Sequence, residues 1–158
     1  MKHILYYSTL LILLCSCKPD TVCRSVMTVG LVGELREHYT DQYGKQQVQT
    51  VWDSLTVQGV GNDSVLYDNS KAVDKTTLPL RHDADSTVYT LTYHGLTDTL
   101  TTHYSSNQIF VSMECGCAYH HAISHIDHTR HWIDSIDVVN DAITREGKTN
   151  IHFIREHR

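Results

Sequence analysis

The sequence predicts an all-β protein, an antiparallel β-sandwich of the immunoglobulin-like or Greek-key type. Short stretches rich in Thr, Val and Tyr alternate apolar and polar residues with a period of two, as half-buried strands do. Gly, Asp and Asn residues separate these stretches at regular spacing, which is typical of sandwiches and barrels. No long segment has a helical period, and residues 141–147 could form at most one or two helical turns.

Nine segments carry the strand pattern. Residues 88–93 show it most plainly, because Val88, Thr90 and Thr92 alternate with larger apolar side chains. Pro79 has no amide proton to donate, so its segment is expected at an edge or at a strand end. Residues 109–121 are predicted to form one continuous strand. The predicted strands are residues 25–37, 50–60, 64–67, 76–80, 88–93, 100–104, 109–121, 133–139 and 150–155.

The first residues have the features of a lipoprotein signal peptide. Lys2 precedes an apolar run over residues 4–14, which is shorter than the roughly 20 residues of a membrane span and fits a secretory signal. Leu14-Cys15-Ser16-Cys17 resembles a bacterial lipobox, in which Cys17 becomes the lipidated first residue of the mature chain. An ordinary secretory signal cut nearby is the alternative. We therefore expect a signal peptide at 1–16, a lipidated N-terminus and short tether at 17–24, and a single β-sandwich domain at 25–158.

Lipidation predicts a protein anchored to the membrane of the cell envelope. The residue after Cys17 is Lys18 and not Asp. By resemblance to the lipoprotein sorting rule, this favours the outer membrane. The rule does not decide whether the protein faces the periplasm or the cell surface. Removing residues 1–16 takes away one lysine and no acid, so the formal charge changes from −5 to −6. A negative chain argues against nucleic acid as a partner and against a basic membrane-binding patch. The membrane link is therefore the acyl chains, with palmitate expected among them.

Three cysteines remain in the processed chain, namely Cys23, Cys115 and Cys117, beside the lipidated Cys17. In an oxidising compartment an odd number allows one internal disulfide and one spare thiol. Cys115 and Cys117 lie roughly 6.5–7 Å apart on an extended strand, too far to bond to each other easily. Cys23 is therefore expected to bond either to Cys115 or to Cys117.

A segment rich in possible metal ligands follows these cysteines. Residues 117–131 contain Cys117 and five histidines, at positions 120, 121, 125, 128 and 131. On a strand Cys117 and His121 share a face, and His125 joins them if the strand continues unbroken. Thiolate and imidazole are ligands for zinc and copper, but Cys-x-Cys is shorter than the usual zinc-binding pair. Metal binding by residues 117–131 is therefore the alternative hypothesis, and no cofactor is expected in the main one.

The sequence contains no motif that indicates catalysis. It lacks a Gly-x-Ser-x-Gly elbow, and the glycines at 59 and 61 lie between strands instead of preceding a helix that could bind phosphate. A short element, Asp followed by Ser or Thr and then an apolar residue or Thr, recurs six times. It is typical of turns and also resembles the O-glycosylation sequon of Bacteroidota envelope proteins. The element begins at Asp20, Asp53, Asp63, Asp85, Asp98 and Asp134.

Several stretches together resemble a family of small, uncharacterised Bacteroidota lipoproteins that contain a domain of unknown function. They are the lipobox with Cys17, the early Cys23, the block DSLTVQGVGNDSVLYDNS at 53–70, Leu78-Pro79-Leu80, and Glu114-Cys115-Gly116. The resemblance implies a β-rich envelope lipoprotein without a known activity, and it favours Cys115 over Cys117 as the partner of Cys23. Cys117 and the histidines after it fall outside the family pattern. We expect a lipid-anchored, non-enzymatic accessory or binding module of unknown partner, for which an envelope protein is one candidate.

Overall fold

The computed structural model describes Cys23, residues 29–62 and residues 64–156, except for the side chain of Asp41. Within these residues the chain forms eleven β-strands and no helix, and the strands build two sheets that pack face to face. The predicted all-β sandwich is confirmed. The strands are β1 Gly30–Asp41, β2 Gly44–Thr50, β3 Leu55–Gly59, β4 Val65–Ser70, β5 Lys75–Pro79, β6 Ser86–Tyr93, β7 Leu96–Ser112, β8 Gly116–His128, β9 Ser135–Val138, β10 Ala142–Ile143 and β11 Ile151–Glu156.

The first sheet is centred on β1 and has the order β2-β1-β11-β9. One edge of β1 pairs with β5 over residues 30–34 and with β2 over residues 35–41. The other edge pairs with β11 in parallel, from Gly33 opposite Ile151 to His38 opposite Glu156. This ladder is the one parallel pair among the described strands of a sandwich whose other strand pairs are antiparallel. It joins the first and last strands of the described chain, and no local sequence pattern encodes the relative direction of strands so far apart.

The second sheet has the order β10-β8-β7-β6-β3-β4, and all its pairs are antiparallel. Strands β6, β7 and β8 follow one another as a meander, and the β3–β4 hairpin adds to the free edge of β6. β7 is the longest strand, and β6 covers its edge only as far as His103, which lies opposite Ser86. The remainder of β7 therefore pairs with β8 alone, and from Asn107 onward β7 and β8 form a two-stranded ribbon.

The prediction of one continuous strand over residues 109–121 is wrong. β7 ends at Ser112, the chain reverses over residues 113–115, and β8 begins at Gly116. Gly116 has φ +71°, a left-handed conformation that glycine adopts without the steric cost of a side chain. Gly116 is the sequence signal for the reversal. The alternation of residues 109–121 hides it, because the apolar pattern continues on both sides of the turn.

The core lies between the two sheets and is built by alternate residues of the facing strands. Leu31, Leu35 and Phe153 come from the first sheet, and each is fully buried. Leu91 and Leu100 meet them from the second sheet and are also fully buried. This alternation is the period-two pattern that predicted the fold.

Two further segments differ from the sequence-based prediction. β2 begins at Gly44, although only its last residue carried a strand signal, because its side chains are mostly polar and exposed and show no clear alternation. Residues 141–147 contain the two-residue strand β10 and a turn, and they form no helix. Ala142 pairs with Ala122, and Ile143 pairs with His121. This strand pairing replaces the hydrogen bonds of a helical turn.

Candidate functional site

A disulfide joins Cys23 to Cys115 across 92 positions of the sequence. Their Cα atoms lie 4.8 Å apart, within the ordinary range for a disulfide. This is the pairing that the family resemblance favours. Cys17, the predicted lipidation site, lies outside the described residues, as do residues 1–16 and most of the predicted tether. The bridge therefore fixes the end of the β7–β8 ribbon to a position six residues after Cys17.

The end of this ribbon, residues 105–119, is called the β7–β8 tip below. Cys117 lies directly opposite Phe110, and Gly116 lies opposite Ser112, so Val111 is a bulged residue without a partner. Met113 is 87 % exposed and Phe110 is 66 % exposed. Large apolar side chains exposed together at one end of a molecule indicate a surface that meets another surface.

Cys117 is a free, exposed thiol, and it lines a pocket of about 190 Å³ together with His121. The two residues predicted to share a face therefore line one pocket, together with Ala118 and Tyr119 between them. His82, from the turn after β5, enters the same pocket and stacks on Tyr119 with ring centroids 4.6 Å apart. Sequence reasoning missed His82, because it lies far from Cys117 along the chain and no spacing links the two.

His121 is buried and hydrogen-bonded inside this pocket. Its Nδ1 lies 2.9 Å from the hydroxyl oxygen of Ser106, and its ring meets the edge of Tyr104 at 5.1 Å. Burial lowers the pKa of His121, and the neighbouring His120 and His82 lower it further. The neutral imidazole is therefore favoured near neutral pH, and it is the form that could bind a metal ion.

His125 does not join this group, and the expectation that it shares the face of His121 is wrong. His103 pairs with His125 and Tyr104 pairs with Ile123, so Ser124 is an extra residue in β8. This bulge breaks the alternation and moves His125 to the opposite face of the sheet. There Asp127 lies 3.0 Å from the Nε2 of His125 and 3.4 Å from the Nε2 of His103.

The other histidines of the segment 117–131 are also dispersed. The Nδ1 of His131 lies 2.9 Å from Asp98, at the far end of β8. Across the part of the chain that the structure describes, no three His, Cys, Asp or Glu side chains are grouped so that they could hold a metal ion. Cys117 and His121 in the 190 Å³ pocket are the pair that the metal-binding alternative retains, and His82 is their neighbour.

A larger cleft, of about 510 Å³, opens at one end of the sandwich. The β3–β4 turn forms one wall, the end of β5 forms the second and the start of β6 forms the third. Its described lining residues are Gly59, Val60, Gly61, Asn62, Ser64, Leu66, Pro79, Leu80, Arg81, Thr87, Val88 and Tyr89. These walls come largely from the block 53–70 and from Leu78-Pro79-Leu80, the stretches that carry the family resemblance.

Hydrogen bonds hold the walls of this cleft in place. The Tyr89 hydroxyl donates to the carbonyl of Pro79, and the Tyr104 hydroxyl donates to the carbonyl of Arg81 at 2.7 Å. Burial raises the pKa of Tyr89 to about 12, so its hydroxyl keeps its proton. The Arg81 guanidinium is held by Asp83 at 3.1 and 3.0 Å. None of the described lining residues is an acid or a histidine. The cleft therefore offers apolar surface, hydrogen-bonding groups and the Arg81 guanidinium to a molecule that enters it.

The recurring Asp-(Ser/Thr) element has a structural role at two of its described positions, Asp98 and Asp134. Asp98 is fully buried and binds the segment that follows β8. Asp134 accepts a hydrogen bond from the N–H of Glu156 at 2.8 Å, and Ser135 after it is exposed. Asp20 and Asp63 lie outside the described residues. A hydrogen-bonding role in the fold thus accounts for the Asp98 and Asp134 copies.

Comparison with known proteins gives a family and no activity. Residues 54–154 match the model of DUF6452, a family of unknown function, and because the match spans most of the chain, the protein belongs to this family. No curated protein and no solved structure matches the chain. None of the described residues builds a helix with the length and hydrophobicity that a membrane crossing requires.

Proposed function

We propose that this member of the DUF6452 family is a lipid-anchored protein of the bacterial cell envelope that binds a partner and catalyses no reaction. The observation that carries the proposal is the Cys23–Cys115 disulfide. Structural disulfides form and persist in oxidising compartments and are rare in the cytosol. The bridge therefore supports export, and the apolar run at 4–14 followed by Leu14-Cys15-Ser16-Cys17 supplies the signal and the lipid attachment site.

Lys18 after Cys17 favours the outer membrane, on its periplasmic or its outer face. The lipobox, the early Cys23, the block 53–70 and Glu114-Cys115-Gly116 resemble Bacteroidota lipoproteins and support that kind of source. Modification by O-glycans is proposed at Asp-(Ser/Thr) elements whose hydroxyl is accessible, such as Ser135 after Asp134. An intact mass that exceeds the lipidated chain would support modification, and a mass without the excess would exclude it.

The binding role is drawn from the 510 Å³ cleft. Its volume lies in the range of ligand pockets, its walls are fixed by the Tyr89 and Tyr104 hydroxyls, and its described lining lacks acids and histidines. We expect an envelope protein to insert a loop or a chain end there.

Lipidation is tested with the full chain in a Bacteroidota host fed a radioactive or alkyne-bearing palmitate. The wild type and Cys15→Ser should be labelled and should fractionate with outer membranes. Cys17→Ser should lose the label and remain unprocessed or become soluble. Label that survives Cys17→Ser, or a soluble wild type, would contradict the proposal.

A protein partner is tested by photo-crosslinking on membranes. One variant carries the photo-crosslinker at Val60 in the cleft, which is 56 % exposed. The matched control carries it at Val138, which is 47 % exposed.

Metal binding is the second candidate, because Cys117 and His121 line one pocket and His82 lies beside them. Zinc and copper titrations of metal-stripped protein should then give an affinity clearly tighter than micromolar that Cys117→Ser and His121→Gln both weaken. His125→Gln is the matched control, since His125 lies on the other face of the sheet. Equal weakening by all three substitutions, or micromolar affinity, would indicate adventitious binding by surface histidines.

A further inference from the structure

Within the part of the chain that the structure describes, the outermost part of the β7–β8 tip has no third strand beside it, although Cys117 and Tyr119 line a pocket with Leu80 and His82. From Asn107 outward, neither strand of the ribbon pairs with a third strand among the described residues, because β6 ends opposite His103 and β10 pairs only with His121 and Ala122. Five residues of ribbon beyond Asn107 at about 3.4 Å each extend the tip by roughly 17 Å. The last residues of the tip are therefore accessible to a second surface at that end of the molecule.

The composition of the tip differs from that of the rest of the chain. Residues 105–119 contain one charged side chain, Glu114, whereas 20 % of the whole chain is charged. The nearest described histidines lie at the base of the tip, His120 opposite Asn107 and His82 on Tyr119. Phe110 and Met113 are 66 % and 87 % exposed at the end of this neutral stretch. Exposed Phe and Met without a surrounding ring of charges suit the boundary between lipid headgroups and acyl chains, where neutral polar groups also find hydrogen bonds.

The disulfide places this neutral tip close to the lipid attachment site. Cys17 and Cys23 are six residues apart, so even a fully extended chain separates them by at most about 21 Å. Cys23 is bonded to Cys115, and Met113 is two residues away from Cys115 in the turn. A lipid on Cys17 thus keeps the tip within reach of the bilayer surface, whichever way the short tether runs.

We infer that the β7–β8 tip docks into the membrane that holds the Cys17 lipid, with Phe110 and Met113 entering the headgroup–acyl boundary and Glu114 remaining at headgroup level. This inference rests on the proposed lipid anchor. Two attachments, the lipid and the tip, would fix the orientation of the sandwich relative to the membrane. The short neutral tip avoids the repulsion that the negative chain would otherwise meet at an anionic lipid surface.

The test uses Phe110→Trp in the lipidated full-length protein, reconstituted into phosphatidylcholine vesicles with bromine near the headgroup or near the chain end. Trp52 and Trp132 are buried in the core and give a constant background. We expect the emission of the introduced indole to fall with bromine near the headgroup and to change little with bromine near the chain end. Met113→Trp is the second variant. Val48→Trp, on the exposed surface of β2, is the matched control and should show no loss.

Failure of the inference and failure of the proposed function give different results in this experiment. If the protein floats with vesicles and carries lipid, but the emission of Phe110→Trp and Met113→Trp is no more quenched than that of Val48→Trp, tip docking is overturned and the anchor is left intact. That is also the result expected if a protein partner covers the tip. A protein without lipid that does not float overturns the anchor and the inference together. When Cys23→Ala and Cys115→Ala are added to Phe110→Trp in a protein that still folds, we expect the quenching to diminish while flotation persists.

Discussion

The buried carboxylate of Asp98 accepts a hydrogen bond from the backbone N–H of Trp132 at 2.8 Å. The N–H of Ile133 donates to the same oxygen at 2.9 Å, and the Thr129 hydroxyl donates to the other oxygen at 2.6 Å. Burial alone would raise the pKa of Asp98, but these hydrogen bonds outweigh it and lower the pKa to about 2. One side chain at the start of β7 thus organises the connection that takes the chain from the second sheet to the first.

Replacing Asp98 should therefore destabilise the fold. We expect Asp98→Asn to lower the free energy of unfolding by about 3 kcal/mol, because the amide offers one acceptor oxygen where several donors converge, and its NH₂ group faces other donors. Urea denaturation followed by tryptophan fluorescence measures the change. Asp127→Asn is the control, since Asp127 is 62 % exposed and its ion pairs contribute less than about 1 kcal/mol. Equal losses in the two variants would contradict the assigned role of Asp98.

The protein should lose stability in acid. Burial tends to raise the pKa of Glu34, but contacts with Lys75 at 2.8 Å, Thr149 at 2.6 Å and Arg36 at 2.9 Å lower it to about 2. The folded pKa values of Glu34 and Asp98 lie below their unfolded values. Their contribution is therefore complete above about pH 5 and declines as the pH falls toward 2, by about 3 and about 2 kcal/mol respectively.

Unfolding free energies measured between pH 6 and pH 2 test this decline. Glu34→Gln should lower the stability at pH 6 and flatten the acid limb of the curve. Glu146→Gln should leave the limb unchanged, because Glu146 pairs with Lys148 on the exposed surface. If the stability of Glu34→Gln fell in acid as steeply as that of the wild type, the lowered pKa of Glu34 would not be the cause of the acid sensitivity.

A second loss of stability is expected between neutral pH and about pH 5. The folded pKa of His121 lies below its unfolded value of about 6.5, because of burial first and then His120 and His82. The unfolded chain then takes up the proton first, so stability falls as the pH drops below about 6.5. His121→Gln should reduce this decline, and His125→Gln, whose side chain is 67 % exposed, should not. His152, whose pKa is lowered by burial and Arg36, accounts for part of the remainder.

The disulfide should contribute strongly to stability, because it closes a long loop. Closing a loop of 92 residues removes entropy from the unfolded chain equivalent to about 4–5 kcal/mol on the chain-entropy model. We expect Cys23→Ser with Cys115→Ser to lower the melting temperature strongly and Cys117→Ser to leave it unchanged, since Cys117 is free and exposed. Alkylation of the folded C17S protein without reductant should modify Cys117 and leave both bridged cysteines unlabelled. Labelling of Cys23 or Cys115 would contradict the pairing.

Gly33 is required by close packing within the first sheet, where its neighbours come from the adjacent strands β11 and β5. A Cβ at this position would lie 2.4 Å from Cε2 of Phe153 and 3.0 Å from the hydroxyl oxygen of Thr76, both of which are fully buried. Gly33→Ala should therefore cost about 1–3 kcal/mol of unfolding free energy, because Phe153 must shift inside a packed core. Gly59→Ala is the matched control, since its nearest neighbours lie at 3.8 Å. Thermal unfolding of the two variants should differ by several degrees.

The period-two alternation of residues such as Leu91 and Leu100 was sufficient to predict the two-sheet fold, because each alternation reports one buried and one exposed face. The same logic placed Cys117 and His121 on one face, and they do line one pocket. It failed for His125, because the bulge at Ser124 inverts the alternation and leaves no mark in the sequence. It also could not bring His82 to that pocket, since the contact depends on where the turn after β5 lies in space.

By itself, the sequence determined the all-β class and limited the bridge of Cys23 to two partners, because strand geometry and cysteine number are local or countable properties. Only the tertiary structure decided that β1 and β11 pair in parallel, that the chain reverses at residues 113–115, and that Asp98 is a buried anchor instead of a turn residue. These features depend on packing between segments distant in the chain. Their energies exceed the local preferences from which a sequence pattern is read.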